Sequence, residues 1–256
     1  MDKLKIFDSH LHIIDAEFPL VPNNGYVPEE FTVTDYCNRM KDYRLLGGAL
    51  VSGSFQAFDQ TYLIAALKKL GPSFVGVTQL PSSVSDEQIL ALNTAGVRAV
   101  RFNLKRGGSA EVNQLEGMAR RLFDLVGWHV ELYVDATELP ELFHTLVALP
   151  AVSIDHLGLS GNGFSTLLKL AERGIRVKAT GFGRTDFDVC TALKALYSAN
   201  PDALMFGTDL PSTRAPRAYS DKDIDVISAA VGNQGLRKIL YENALRFYRL
   251  DSHLRR

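Results

Sequence analysis

The chain has 256 residues, 46% of them hydrophobic and 22% charged, and 28 basic against 29 acidic side chains leave a net charge of −1. This is the composition of a globular protein with a substantial core, and it supplies no basic field to hold nucleic acid or an anionic membrane. No apolar stretch approaches the ~20 residues of a bilayer span. Met1-Asp2-Lys3 opens no signal-peptide pattern, so a cytoplasmic protein is expected. Cys37 and Cys190 are isolated and read as buried reduced thiols.

Short runs rich in Val, Ile and Phe alternate with longer segments of helical period. The first expected strand, Leu4–Asp8, leads into two histidines. A helix over Val33–Leu46 follows, with Tyr36, Met40 and Tyr43 at three- and four-residue spacing. Next come strand Gly48–Ser52 and helix Gln60–Leu70, then strand Ser73–Thr78 and helix Asp86–Ala95. Strand Val97–Asn103 precedes helix Val112–Val126, and strand His129–Val134 precedes helix Leu139–Leu149. Strand Val152–His156 and helix Ser165–Arg173 lead to strand Val177–Gly181 and helix Phe187–Ala199. After the eighth strand, Leu204–Thr208, the segment Asp221–Leu250 reads as two helices before the chain frays over 251–256. Thr32 or Thr34, Ser85, Thr137 and Asp186 are the expected helix caps. Eight strands each followed by a helix predict a (β/α)8 TIM barrel forming one domain over 1–256. A doubly wound open sheet would need a glycine-rich phosphate loop, and neither Gly-x-Gly-x-x-Gly nor a P-loop occurs.

In such a barrel chemistry gathers where the strands end. There the chain carries His10 and His12 after strand one, Arg101 and Asn103 on strand four, and Asp155-His156 on strand six. Arg184 follows strand seven and Asp209 ends strand eight. Strand alternation places Asp8, His10 and His12 on one face and puts Arg98 and Arg101 on opposite faces. Three of six histidines thus meet one aspartate at one mouth. Asp155 reads as a cap of the following loop, and Asp8 as either a site residue or a partner for a histidine N–H. His129 starts strand five at the far end and reads as structural; His144 and His253 read as surface residues.

These pieces carry a resemblance. Phe7-Asp8-Ser9-His10-Leu11-His12, Val97-Arg98-Ala99-Val100-Arg101-Phe102-Asn103, Ile154-Asp155-His156-Leu157-Gly158 and Phe206-Gly207-Thr208-Asp209-Leu210-Pro211 resemble the amidohydrolase superfamily. The branch is that of 2-pyrone-4,6-dicarboxylate lactonase and related sugar-acid lactonases. The resemblance implies Asp209 as the general base that activates water. It implies His10, His12 and His156 around the scissile carbonyl oxygen, or around a metal that polarises it. Arg101 and Arg184 are then the first candidates for a substrate carboxylate, with Arg106, Arg214 and Arg217 on neighbouring loops, and Tyr26 matches a tyrosine that reaches the substrate. Relatives carry tryptophan where this chain has Leu210, and the loop Thr213-Arg214-Ala215-Pro216-Arg217 is its own.

His10, His12, His156 and Asp209 could complete a mononuclear zinc shell. A two-metal centre would need a bridging lysine carbamate or glutamate and further histidines. Strand five offers Glu131, Tyr133 and Asp135, and strand seven offers Lys178, the one lysine expected to approach the centre, where a strand lysine often only pairs with a carboxylate. The resemblance implies no obligatory cofactor in lactonases and one divalent ion, such as zinc, in decarboxylase-like relatives. The expected protein is a hydrolase that opens a small carboxylated or sugar lactone. Its partner is that anionic substrate, with no nucleic acid or membrane, and a homo-oligomer stays open. A mononuclear zinc amidohydrolase or decarboxylase is the alternative, and a non-catalytic barrel binding an anionic metabolite is a third reading.

Overall fold

The computed structural model describes residues 3–250; the expected fraying over 251–256 and the placement of His253 lie outside the described residues. Strands β1 (Lys5–Leu11), β2 (Arg44–Val51), β3 (Phe74–Thr78), β4 (Val97–Asn103), β5 (His129–Tyr133), β6 (Val152–Ile154), β7 (Arg176–Ala179) and β8 (Leu204–Phe206) form one sheet. They pair in sequence order, and every adjacent pair is parallel. At the seam between the last strand and the first, the Asp209 N–H donates to the His10 carbonyl at 2.7 Å and the His12 N–H to the Leu210 carbonyl at 2.8 Å. The two ends of the sheet are therefore stitched at the residues expected to do the chemistry. This is a TIM barrel.

Helices α1 (Val33–Arg39), α2 (Thr61–Leu70), α3 (Asp86–Thr94), α4 (Leu115–Val126), α5 (Leu139–Ala148), α6 (Phe164–Glu172), α7 (Val189–Ala199) and α8 (Lys222–Arg237) follow the strands in turn. A π-helical turn over Lys238–Glu242 joins α8 to α9 (Asn243–Phe247). Strand alternation sorts the core into two layers. Leu50 of β2 packs into the large cluster shared with the helices. Ala49 and Val51 join Phe7, Val75, Val77, Ala99 and Met205 in a second cluster, which Ala244, Leu245 and Tyr248 of the C-terminal segment complete.

Several boundaries differ from expectation. α1 stops at Arg39 because residues 44 and 45 pair with Lys5 and Ile6, so parallel strand pairing overrides a helical period that runs on to Leu46. β1 continues to Leu11, which pairs with Leu50 beyond a register shift. β6 ends at Ile154, because His156 and Leu157 take φ of 51° and 52° and turn the chain out of the sheet. Thr32 and Ser85 cap their helices in reciprocal capping boxes, each worth about 1 kcal/mol. The cap of α7 is Asp188, which accepts the Thr191 N–H at 2.8 Å. Asp186 instead accepts from Gly161 N and Ser160 Oγ, and Asp135 rather than Thr137 caps the turn before α5. Cys37 is exposed and Cys190 half-buried, against the expected burial of both; each is a free thiol. Among the described residues no helix is long and apolar enough to cross a membrane.

Candidate active site

At the C-terminal ends of the strands lies a polar pocket lined by His12, Phe55, Arg101, Arg106, Tyr133, His156, Arg184, Asp209 and Arg214, among others. His10 lies just beneath it, fully buried. Asp209 Oδ1 is the centre. It lies 3.8 Å from His10 Nε2, 3.7 Å from His12 Nε2 and 4.0 Å from His156 Nε2. Each gap is too long for a hydrogen bond, and both Asp209 Oδ1 and His10 Nε2 are buried without a partner. A buried unpaired acceptor is costly, so three imidazoles facing one carboxylate oxygen describe a place prepared for something else.

The surroundings fix each member. The His12 Nδ1 stands 2.7 Å from the Val51 carbonyl. His156 packs edge-on against His10 and Tyr133, at ring separations of 4.7 and 5.1 Å. Burial drives the His10 imidazole down to about 3 and the His156 imidazole well below its ordinary value, so both are neutral. Burial pushes Asp209 up, but its neighbours, the Arg184 guanidinium first among them, hold the carboxyl well below the usual range. Arg184 does so directly, with Nε 2.7 Å from Asp209 Oδ2 and Nη2 on the Thr213 carbonyl.

Asp155 is not a loop cap. It is fully buried, it makes no capping bond, and its Oδ2 accepts from Arg101 Nε at 3.2 Å and Nη2 at 2.8 Å. The reason is charge: Arg101 enters the barrel from β4 and needs a carboxylate there. Arg101 also donates to the Ser52 carbonyl, so its remaining N–H groups alone face the pocket. Arg98 lies on the other face of β4 and binds Asn93. Asp8 bonds no histidine ring. It accepts from the His10 backbone N–H, the Thr208 N–H and hydroxyl, and the Tyr36 hydroxyl, tying β1 to the end of β8. Burial raises its carboxyl to about 6 against those donors.

The outer rim is cationic. Arg106 and Arg214 have no carboxylate within 4 Å among the described residues, whereas Arg101 and Arg184 each have one. Burial and the repulsion of Arg106 both lower the Arg214 guanidinium, so the two charges feel one another. Arg214 lies over the Tyr26 ring at 4.2 Å and is held by Asn23, whose side-chain amide also donates to the Arg106 carbonyl. Tyr26 therefore stands behind Arg214 rather than in the inner pocket. Arg217 is exposed and pairs with Asp223, outside the site. Sequence reasoning missed Phe55 as a wall and Tyr133 as a ring under Arg101, 5.1 Å away. The period-two spacing of Glu131 and Tyr133 on β5 was the available signal for the second. His144 is exposed on α5.

Among the described residues, two sets of three side chains could hold one ion: His10 with His12 and Asp209, and His10 with Asp155 and His156. Imidazole and carboxylate suit zinc, and the orphaned His10 Nε2 and Asp209 Oδ1 fit it, provided that His10 offers a bare nitrogen.

This histidine–aspartate mouth thus stands at the C-terminal end of a parallel (β/α)8 barrel. The amidohydrolase family model matches residues 7–250, and the chain belongs to that family. It is similar to the 2-pyrone-4,6-dicarboxylate hydrolase of Comamonas testosteroni, at 26% identity over 94% of this chain and 89% of that protein. It is also similar to the 4-sulfomuconolactone hydrolase of Rhizobium radiobacter, at 26% identity over 94% and 89% of the two chains. A protein of Acinetobacter baumannii named a "probable 2-pyrone-4,6-dicarboxylic acid hydrolase", crystallised with citric acid, superimposes with a TM-score of 0.82. It is 21% identical, over 95% of this chain and 98% of its own, and supports the fold. The protein is a hydrolase.

Proposed function

We propose that this hydrolase opens a small lactone bearing at least one carboxylate or sulfonate, with Asp209 as the general base. The observation that carries the reading is the pair of uncompensated cations, Arg106 and Arg214, beside an ionised Asp209 whose Oδ1 is ringed by three imidazoles. Both relatives named above for their substrates are hydrolases of anionic compounds, one of them a lactone by name.

In the proposed reaction the substrate's anionic group binds Arg106 and Arg214 through charge-assisted hydrogen bonds. Its carbonyl oxygen sits among the imidazoles. Water held at Asp209 Oδ1 attacks the carbonyl carbon while Asp209 takes its proton. The tetrahedral oxyanion is stabilised by imidazole N–H. Collapse breaks the ring C–O bond, and the departing oxygen receives the proton from Asp209. The product is an open hydroxy acid or its keto form, and the carboxylate is restored. Arg184 orients Asp209 through Oδ2 and leaves Oδ1 to the water. If an ion binds, His10, His12 and Asp209 hold it, and it supplies Lewis-acid polarisation of the carbonyl.

The test is hydrolysis of a panel that includes 2-pyrone-4,6-dicarboxylate, 4-sulfomuconolactone and uncharged lactones, by the wild type and Asp209→Asn. The expected result is turnover of an anionic lactone, lost in a variant that still melts cooperatively. Failure with every anionic lactone, or an active Asp209→Asn, overturns the reading.

A further inference from the structure

A buried cation that the proposed reaction does not use stands directly behind His10. Lys178 on β7 is fully buried. Its Nζ is ion-paired with Glu131 on β5 and lies 3.6 Å from Asp155 Oδ1. The same Nζ stands 3.3 Å from His10 Nδ1 in hydrogen-bonding geometry. An ammonium has donors only, so this bond occupies the lone pair of Nδ1. A neutral imidazole so engaged carries its proton on Nε2. Asp155 Oδ1 is the competitor for Nδ1, 3.4 Å away. That oxygen makes no hydrogen bond, because Arg101 holds Asp155 through Oδ2 instead. His12 has the reverse arrangement. Its Nδ1 faces the Val51 carbonyl, which can only accept, so the proton sits on Nδ1 and Nε2 is bare.

We propose that Lys178 is a positioning residue that fixes His10 as its Nε2–H tautomer, so that the His-x-His pair presents one donor and one acceptor. Both three-residue sets that could hold an ion contain His10. With Nδ1 occupied and Nε2 protonated, His10 gives neither set a lone pair, and zinc must displace that proton to bind. In the reaction His10 Nε2–H then donates to the carbonyl oxygen, while His12 Nε2 accepts from the attacking water. That catalytic meaning rests on the lactonase reading; the tautomer does not.

The test is long-range proton–nitrogen correlation spectroscopy of the wild-type protein labelled with 15N-histidine, with His10→Asn and His12→Asn assigning the signals. The expected result is a proton on Nε2 of His10 and on Nδ1 of His12. A Lys178→Met/Glu131→Gln variant removes both partners of the pair and strands neither. In it the His10 proton should move to Nδ1, facing Asp155 Oδ1, and calorimetric titration with zinc chloride should show at least about tenfold tighter binding than the wild type. A His10 proton on Nδ1 in the wild type overturns the proposal. So does zinc affinity in the folded double variant no higher than in the wild type. If that variant does not fold, the wild-type spectrum alone decides. Neither measurement needs a substrate, so failure of the lactonase reading is seen separately.

Discussion

Gly181→Ala should cost activity far more than stability. Gly181 follows β7 with φ of 61° and ψ of 41°, and a Cβ there would lie 2.5 Å from His156 Nδ1 and 3.0 Å from Arg184 Cδ. Relief to an ordinary contact of 3.4 Å needs a shift of about 0.9 Å, taken by the His156 ring or the new methyl. The ring is confined between His10 and Tyr133, so the shift is passed into the site. A misplacement of about 1 Å in a reacting group costs on the order of 100-fold in rate. The left-handed backbone adds about 1 to 2 kcal/mol of strain. With an unfolding entropy of about 2.1 cal/mol/K per residue over 256 residues, about 2 kcal/mol lowers Tm by roughly 4 °C. Gly174→Ala is the control, since its φ is 92° but nothing lies within 4 Å of its Cβ. It should lose similar stability and keep wild-type kcat/KM. Paired melting curves and steady-state kinetics read both effects. Wild-type kcat/KM in Gly181→Ala would refute a role for the position of His156.

Arg106→Met and Arg214→Met should each raise KM for an anionic lactone about 10- to 100-fold, as expected for one charge-assisted hydrogen bond, with kcat changed less. Equal loss on an uncharged lactone would contradict carboxylate binding by these two side chains. Stability should also fall with acid. His10, His129 and His156 have folded-state values depressed chiefly by burial, so below about pH 6.5 the unfolded chain takes up protons that the native one does not. The contribution is present above pH 6.5 and declines as pH drops, by up to about 1.4 kcal/mol per pH unit for each histidine. Below about pH 6 it is offset by at most one such increment from the Asp8 carboxyl, which burial raises to about 6. The carboxyls of Asp155 and Asp209, also depressed on folding, add loss in the same direction below about pH 4. Denaturant unfolding from pH 7 to 5 reads the slope, and a flat profile would mean that these imidazoles are not held neutral.

The barrel was legible because short runs rich in Val, Ile and Phe alternate with segments of helical period along the chain, and tertiary pairing moved only their ends. His10, His12 and Asp209 were legible as candidates because they close strands, where the fold collects polar side chains. What sequence could not reveal was which charge meets which. Asp155 looks like a cap beside a turn, and only the arrival of Arg101 from β4 makes it an ion-pair partner. Lys178 and Glu131 lie on separate strands, and their encounter behind His10 depends on barrel closure. The same holds for Arg184 on Asp209, and for Asn23, which holds Arg214 without neutralising its charge.

The most direct measurement is a single turnover of an anionic lactone in water enriched in oxygen-18, with mass analysis of both product and protein. With Asp209 as general base, the first product molecule carries one labelled oxygen in its new carboxylate, and the peptide containing Asp209 carries none. Label in Asp209, with an unlabelled first product, would make that carboxylate the nucleophile and contradict the account.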